Sequence, residues 1–176
     1  MLYSNEVSKI RERVMPYLIG DGMDIGCYDC KVVPNAFGID GRKAEGVDLV
    51  TDGLYELPKK LPDLVDKMSF VFSSHTLEHL HDHYRAIIEW SYFLKKGGYF
   101  ILYLPQAGRY DNFENKEHIH NTDYESFLMW FTRTFCGEGR DFKGGIYLTP
   151  VFELVESGQD PHEEDLYSFY LVSQKL

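Results

Sequence analysis

The stretch "GMDIGCYDC", from Gly22 to Cys30, decides how the rest of the chain is read. It ends in Cys27-x-x-Cys30, the spacing of a redox or zinc pair, yet it also reads as a short apolar strand, Met23 to Gly26, running into a glycine turn. A redox pair needs a thiol pKa lowered by a helix N-terminus and nearby positive charge, whereas Asp29 stands between these thiols and no full helix is expected after them. A zinc site needs about four ligands, and the sequence has no second Cys-x-x-Cys. The strand-and-turn reading therefore stands, with the two thiols incidental to the turn.

Working outward, apolar runs of the same kind recur at Ala36 to Asp40 ("AFGID"), Val47 to Asp52 ("VDLVTD"), Ser69 to Ser74 ("SFVFSS") and Tyr99 to Pro105 ("YFILYLP"). Such runs, bounded by Gly, Asp or Pro, fit strands covered on both faces by helices. Helical spacing appears in Ser4 to Leu18, where Val7, Ile10, Val14 and Leu18 share a face, Ser4 or Asn5 is the N-cap and Pro16 frays the end. Further helices are expected over Tyr84 to Leu94 and Asp123 to Phe135, separated by a long polar segment from Gln106 to Asn121. Two closing strands, "TPVFELVES" and "LYSFYLVSQ", flank the acidic stretch "GQDPHEED", expected to be an exposed loop joining an antiparallel pair. The fold expected is α/β: a doubly wound, mostly parallel seven-stranded sheet with an antiparallel C-terminal β-hairpin.

Length and composition narrow the function. At 176 residues and 44% hydrophobic, the chain suits one domain with a real core, taken as residues 1–176. A net charge of −10, from 18 basic and 28 acidic residues, argues against a surface built to neutralise nucleic-acid phosphates and favours a small-molecule substrate. The N-terminal "MLYSNEVSKIRERV" lacks an apolar signal region. No apolar run approaches the ~18 residues of a membrane span, and three cysteines make an odd count, so a soluble, cytoplasmic protein with free thiols and no membrane partner is expected.

In doubly wound sheets ligands bind beyond the carboxyl ends of the strands. Here those ends are Asp24-Ile25-Gly26, Asp40, Asp52, Ser73-Ser74-His75 and Pro105-Gln106. An acidic residue closing the second strand is how this architecture holds ribose hydroxyls, so the pattern predicts an adenosine-containing ligand.

The segments "MDIGCYDCKVVPNAFGIDGRKAEGVDLVTD", "FVFSSHTLEHLHD" and "FLKKGGYFILYLP" occur in order. They resemble the glycine loop, fourth-strand motif and "LKPGG" turn of S-adenosylmethionine-dependent methyltransferases with the Rossmann-like fold, above all the small ones whose fourth strand reads "SSHxLEHL". The resemblance covers nearly the whole chain. It implies S-adenosylmethionine as cofactor, with Asp24, Gly26 and Cys27 in the loop under its methionine part. Asp40 would bind the ribose, Asp52 would reach the adenine amino group, and Gly53 and Leu54 would lie beside the ring. Ser74 and His75 would lie near the sulfonium and the incoming acceptor. The chain departs from the family pattern in two places. Gly26-Cys27-Tyr28-Asp29-Cys30 replaces two glycines of Gly-x-Gly-x-Gly. The interval from Gly26 to Asp40, about fourteen residues, is shorter than the ~20 of dinucleotide folds, so the first crossover helix is expected to be very short or missing.

Other patterns carry sharper chemistry. His75-Thr76-Leu77-Glu78-His79 matches the H-x-x-E-H pattern of inverted zinc peptidases. That chemistry needs a continuous helix, whereas His75 is expected to end a strand, and Glu78 and His79 are read as a packed helix start with no metal. His81 and His83 are read as solvent-side. His118 and His120 lie in the long segment after the fifth strand, where one could take a proton from a hydroxyl nucleophile or simply belong to an exposed loop. The candidate bases, in order, are His75, His118 and His120. Tyr103, Tyr110, Phe113 and Trp130 are pocket or core aromatics. The Asn/Asp-Pro-Pro-Tyr element of nucleic-acid amine methyltransferases is replaced by Ser73-Ser74-His75-Thr76, and no Pro-Cys nucleophile is present. Methyl transfer to a small molecule is the leading reading. The chief rival is a non-catalytic adenosine-ligand binding or scaffold protein that kept the fold, and a second, metal hydrolase or thiol oxidoreductase, rests on the histidine and cysteine patterns.

Overall fold

The computed structural model describes residues 6–110, 116–137, 150–161 and 166–176. Its frame is one seven-stranded sheet made of β1 (Gly22–Ile25), β2 (Phe37–Asp40), β3 (Leu49–Val50), β4 (Met68–Ser74), β5 (Leu94–Pro105), β6 (Phe152–Gln159) and β7 (Ser168–Lys175). The spatial order is β3-β2-β1-β4-β5-β7-β6. Strands β1 to β5 pair in parallel, and β7 runs antiparallel to both β5 and β6. The expected α/β fold, with its antiparallel closing hairpin, is what the chain adopts.

Alternation along the strands divides the core in two. Phe70 and Phe72 of β4, Ile101 and Tyr103 of β5, and Tyr170 and Val172 of β7 face helix α1 (Glu6–Val14), which buries Val7, Ile10 and Val14. Met23, Ile25, Val71, Phe100, Leu102, Phe169 and Leu171 point the other way, toward α3 (His83–Ser91) and α4 (Tyr124–Phe135). Burial on both faces is why the strands read as continuous apolar runs. A one-turn helix, α2 (Leu57–Lys60), follows β3.

Helix α1 stops sooner than its sequence spacing suggests. It passes at Val14 into a 3-10 turn over Met15–Tyr17 containing Pro16, whose ring nitrogen has no proton to donate back along the helix. The N-caps of α3 and α4 are side chains: Asp82 accepts from the Arg85 amide at 2.9 Å and Asp123 from the Ser126 amide at 2.9 Å. The expected caps Ser4 and Asn5 lie outside the described residues.

Between β1 and β2 there is no helix, as the short interval implied. That segment instead buries Val32, Val33 and Ala36 against α1. Arg11 of α1 fastens it, donating to the Val32 carbonyl at 2.9 Å, the Lys31 carbonyl at 3.1 Å and the Cys30 sulfur at 3.2 Å. The N-terminal helix thus covers the face a first crossover helix would have covered.

Two details of the hairpin differ from the sequence reading. Strand β6 continues through Ser157 to Gln159, and Asp160 is not a free loop residue: it accepts from the Tyr103 hydroxyl and from the Ser168 amide. Among the described residues no helix is long and apolar enough to cross a membrane.

Candidate active site

The sheet changes winding direction between β1 and β4, and a cleft of about 590 Å³ opens at the carboxyl ends there. Gly26, Tyr28, Asp40, Asp52, Leu54, His75, Thr76 and His79 line it, together with Arg42 and Glu117. Five of the residues singled out from sequence therefore meet on one surface: Gly26, Asp40, Asp52, Leu54 and His75.

Gly26 has φ +83°, and a Cβ there would come within 1.7 Å of Thr76 Oγ1, so only glycine lets β1 turn this closely under the end of β4. Its amide donates to the Ile39 carbonyl at 2.7 Å, stitching the turn to β2. Tyr28 occupies one of the positions where the family pattern has glycine and still adopts φ +43°, with half of its side chain exposed. The backbone shape asked of a glycine is retained; the open space is not.

Asp40 ends β2 with its carboxylate in the cleft. Oδ2 accepts the Tyr28 amide at 2.9 Å and Oδ1 the Arg42 amide at 2.8 Å. An ionised carboxylate has about four lone-pair sites, so two backbone bonds orient it and leave acceptor capacity for a diol. Asp52 and Leu54 face it from the segment after β3. An adenosine group fits this donor set: acceptors for the ribose at Asp40, an acceptor for an exocyclic amine at Asp52 and an apolar edge at Leu54.

The remaining candidates stand behind the cleft. Asp24 is completely buried; its Oδ2 accepts the Val32 amide and its Oδ1 has no hydrogen-bond partner, and burial raises its pKa to about 7. It shapes the loop from beneath. The Cys27 thiol is also buried, and burial pushes it up to about 12, the opposite of an activated thiol. Cys27 and Cys30 form no disulfide with each other. Gly53 and Ser74 are absent from the lining.

His75 follows the last residue of β4 with φ +48°, and Leu77–His79 form a 3-10 turn. The histidines of the H-x-x-E-H pattern therefore do not share a continuous helix. His75 Nε2 lies 2.9 Å from Ser168 Oγ, and burial lowers its pKa to about 3, keeping the imidazole neutral. His118 is buried behind the cleft wall, its ring 4.5 Å from that of His79. His120 sits apart, its Nε2 bonded to the Leu80 carbonyl at 2.9 Å, in a separate hollow with His83 and Trp130. His83, read as solvent-side, instead packs at a tilt against His120 with centroids 4.0 Å apart, and burial lowers its pKa to about 4. Tyr103 belongs to the core; Phe113 lies outside the described residues.

Sequence reasoning did not foresee Thr76, Arg42, Glu117 and His79 in the cleft. Arg42 and Glu117 come from segments far apart in the chain and meet as an exposed ion pair at 3.0 Å. The segment carrying Glu117 is fixed to the Leu77–His79 turn by His79 Nδ1 to the Glu117 carbonyl at 3.0 Å and the Ile119 amide to the Glu78 carbonyl at 3.1 Å. The sequence pointed to His118 and His120 in this segment and not to Glu117.

Comparison with known proteins agrees with this geometry. Residues 22–102 match a family model described as a methyltransferase domain. A search of curated proteins finds no significant match. Among solved structures, the chain resembles the 1,6-didemethyltoxoflavin-N1-methyltransferase of Burkholderia thailandensis, crystallised with 1,6-didemethyltoxoflavin and S-adenosylhomocysteine: TM-score 0.69, 13% identity, 98% of this chain and 79% of that one. It also resembles an S-adenosylmethionine-dependent methyltransferase from Mesorhizobium loti, with TM-score 0.66, 12% identity, and 99% and 100% of the two chains covered. A 16S rRNA adenine-N1 methyltransferase from Catenulisporales acidiphilia is similar at TM-score 0.59 and 11% identity over 94% of this chain and 89% of that one. At these identities the structures speak for the fold. Joined to the family-model match across β1 to β5, they show the Rossmann-like fold of S-adenosylmethionine-dependent methyltransferases.

Proposed function

We propose that the chain transfers the methyl group of S-adenosylmethionine, the cofactor of the methyltransferases it resembles, to a small-molecule acceptor. The observation that carries this reading is the convergence of Gly26, Asp40 and Asp52, each from a different strand end, on one cleft at the switch point. Asp40 takes the ribose hydroxyls, Asp52 and Leu54 the adenine, and the tight Gly26 turn the methionine part. Asp24 and Cys27 support that turn from beneath, Gly53 positions Leu54, and Ser74 carries the chain to His75 at the acceptor side.

In the reaction the acceptor's lone pair forms a bond to the methyl carbon while the carbon–sulfur pair returns to sulfur, leaving S-adenosylhomocysteine. An acceptor that bears a proton loses it. Positive charge disappears from sulfur, so alignment of the nucleophile with the methyl group supplies most of the rate, several kcal/mol from orientational entropy. A small acceptor suits a cleft whose charged lining is three carboxylates, Asp40, Asp52 and Glu117, against Arg42. The chain's net charge of −10 also disfavours a polyanionic acceptor.

Calorimetric titration with S-adenosylhomocysteine tests the reading. One saturable site is expected, weakened at least about tenfold in Asp40→Ala and in Asp52→Ala, each loss corresponding to about 1.4 kcal/mol or more. Folded protein that ignores millimolar ligand overturns it. The second reading, binding without transfer, rests on Tyr28, whose side chain stands in the loop where the family has glycine. It is favoured if ligand binds but no acceptor from a broad panel of hydroxyl and amine compounds is methylated.

A further inference from the structure

Behind the wall of the cleft, the Glu78 carboxyl is completely buried, and neither of its oxygens has a hydrogen-bond partner on another residue. Three imidazole nitrogens surround one of those oxygens. Glu78 Oε1 stands 3.7 Å from His75 Nδ1, 3.9 Å from His79 Nε2 and 3.9 Å from His118 Nε2. None of these is a hydrogen bond.

The tautomer of His79 sharpens the point. In the neutral imidazole that binds metals, the 3.0 Å contact of Nδ1 with the Glu117 carbonyl, which can only accept, puts the proton on Nδ1 and leaves the lone pair on Nε2, the nitrogen facing Glu78. A buried carboxyl oxygen and an imidazole lone pair that face each other are both stabilised by a positive centre between them. An imidazole whose far N–H is held by a backbone carbonyl is also how proteins orient histidines that bind metals. The ring of His118 is brought into place by the bond from the Ile119 amide to the Glu78 carbonyl.

We propose that Glu78, His79 and His118 bind a divalent first-row transition-metal ion such as Zn²⁺, with His75 Nδ1 beside them as a further donor. One atom from each of the three residues lies within 4.8 Å of the others. Donors about 2.0–2.1 Å from one tetrahedral ion stand about 3.4 Å apart, so side-chain rotations closing each gap by about 0.5–1.5 Å complete the set. Two imidazoles and a carboxylate suit a borderline ion of the zinc group rather than Mg²⁺ or Ca²⁺, which favour oxygen donors. Neither a family resemblance nor the sequence spacing supplies this site: the H-x-x-E-H segment alone has the wrong geometry, and His118 arrives from a separate loop.

Because His75 and His79 also line the cleft, the ion lies at its wall. Resting on the methyltransferase reading, that position favours acceptors offering an oxygen to the ion, a hydroxyl whose proton becomes easier to lose on coordination.

The test uses the full chain, stripped with a chelator and titrated with Co²⁺ while visible absorption is followed. One Co²⁺ per chain with d–d bands is expected, displaced by Zn²⁺. Glu78→Gln and His118→Ala should each weaken binding at least about tenfold. A Cys27→Ser/Cys30→Ser variant should bind as the parent does. No stoichiometric uptake, uptake unchanged in both ligand variants, or uptake lost with the thiols overturns the site. Calorimetry with S-adenosylhomocysteine on the same samples separates the two proposals. Cofactor binding without metal binding sinks only the metal site, and metal binding without cofactor binding sinks only the methyltransferase reading.

Discussion

Gly26 shows how much one missing side chain can decide. With φ +83° and Thr76 Oγ1 where its Cβ would be, Gly26→Ala is strained in backbone and packing together. A loss of about 1–3 kcal/mol in urea unfolding is expected, partly restored by adding Thr76→Ala; an unchanged midpoint would show that the turn relaxes freely. Asp24 beneath it makes a second test. Its folded pKa of about 7 exceeds its ordinary value of 3.8, so the folded state holds a proton that the unfolded chain has released. Its contribution is therefore most favourable below about pH 4 and declines as pH rises toward about 7. Asp24→Asn should gain stability relative to the parent across that interval, measured by urea midpoints at successive pH values; a constant difference would mean that Asp24 ionises normally. The acidic residues were legible because a strand followed by Asp is a local pattern. Arg42, Glu117 and the partners of Glu78 were not, since they meet only when distant loops fold together.

Among the elements, helix α3 depends on a cap that is easily removed. Asp82→Ala deprives the Arg85 amide of its acceptor and should cost about 1 kcal/mol, read as a lowered thermal midpoint. An effect no larger than that of a neighbouring exposed substitution would show that the cap is replaced by water. The central strands β1 and β4 and the second half of β5 were readable in sequence because burial on both faces makes them apolar, and the missing crossover helix because the interval was too short to hold one. What escaped was the end of the hairpin. Polarity in "GQDPHEED" suggested free loop, yet Gln159 pairs with Phe169, and Asp160 accepts from Tyr103 of the central sheet. A polar residue that satisfies a buried hydroxyl looks in sequence like one that faces water. The same ambiguity hid His83, whose neighbours Asp82 and His81 are exposed while its own ring packs on His120.

Across the whole molecule, one sheet carries both core layers, and α1 returns to pack under β4, β5 and β7. We propose on that basis that the chain unfolds as one cooperative unit. Far-UV and near-UV dichroism should give coincident denaturation curves, and two separated transitions would divide it into independent parts. The Arg42–Glu117 pair acts at this scale too. Both side chains are about two-thirds exposed, so the pair adds little to stability, at most about 1 kcal/mol. Both residues line the cleft, and the pair ties the segment after β2 to the segment that carries Glu117. A latch that is weak in energy can still be felt in time. Ionic strength loosens an exposed pair, with the Debye length near 10 Å at about 0.1 M. Added salt should therefore speed both entry and departure of S-adenosylhomocysteine in stopped-flow traces while leaving the equilibrium nearly still, and Arg42→Ala should remove that sensitivity. The residues that hold the ligand then differ from the residues that set how long the door stays shut.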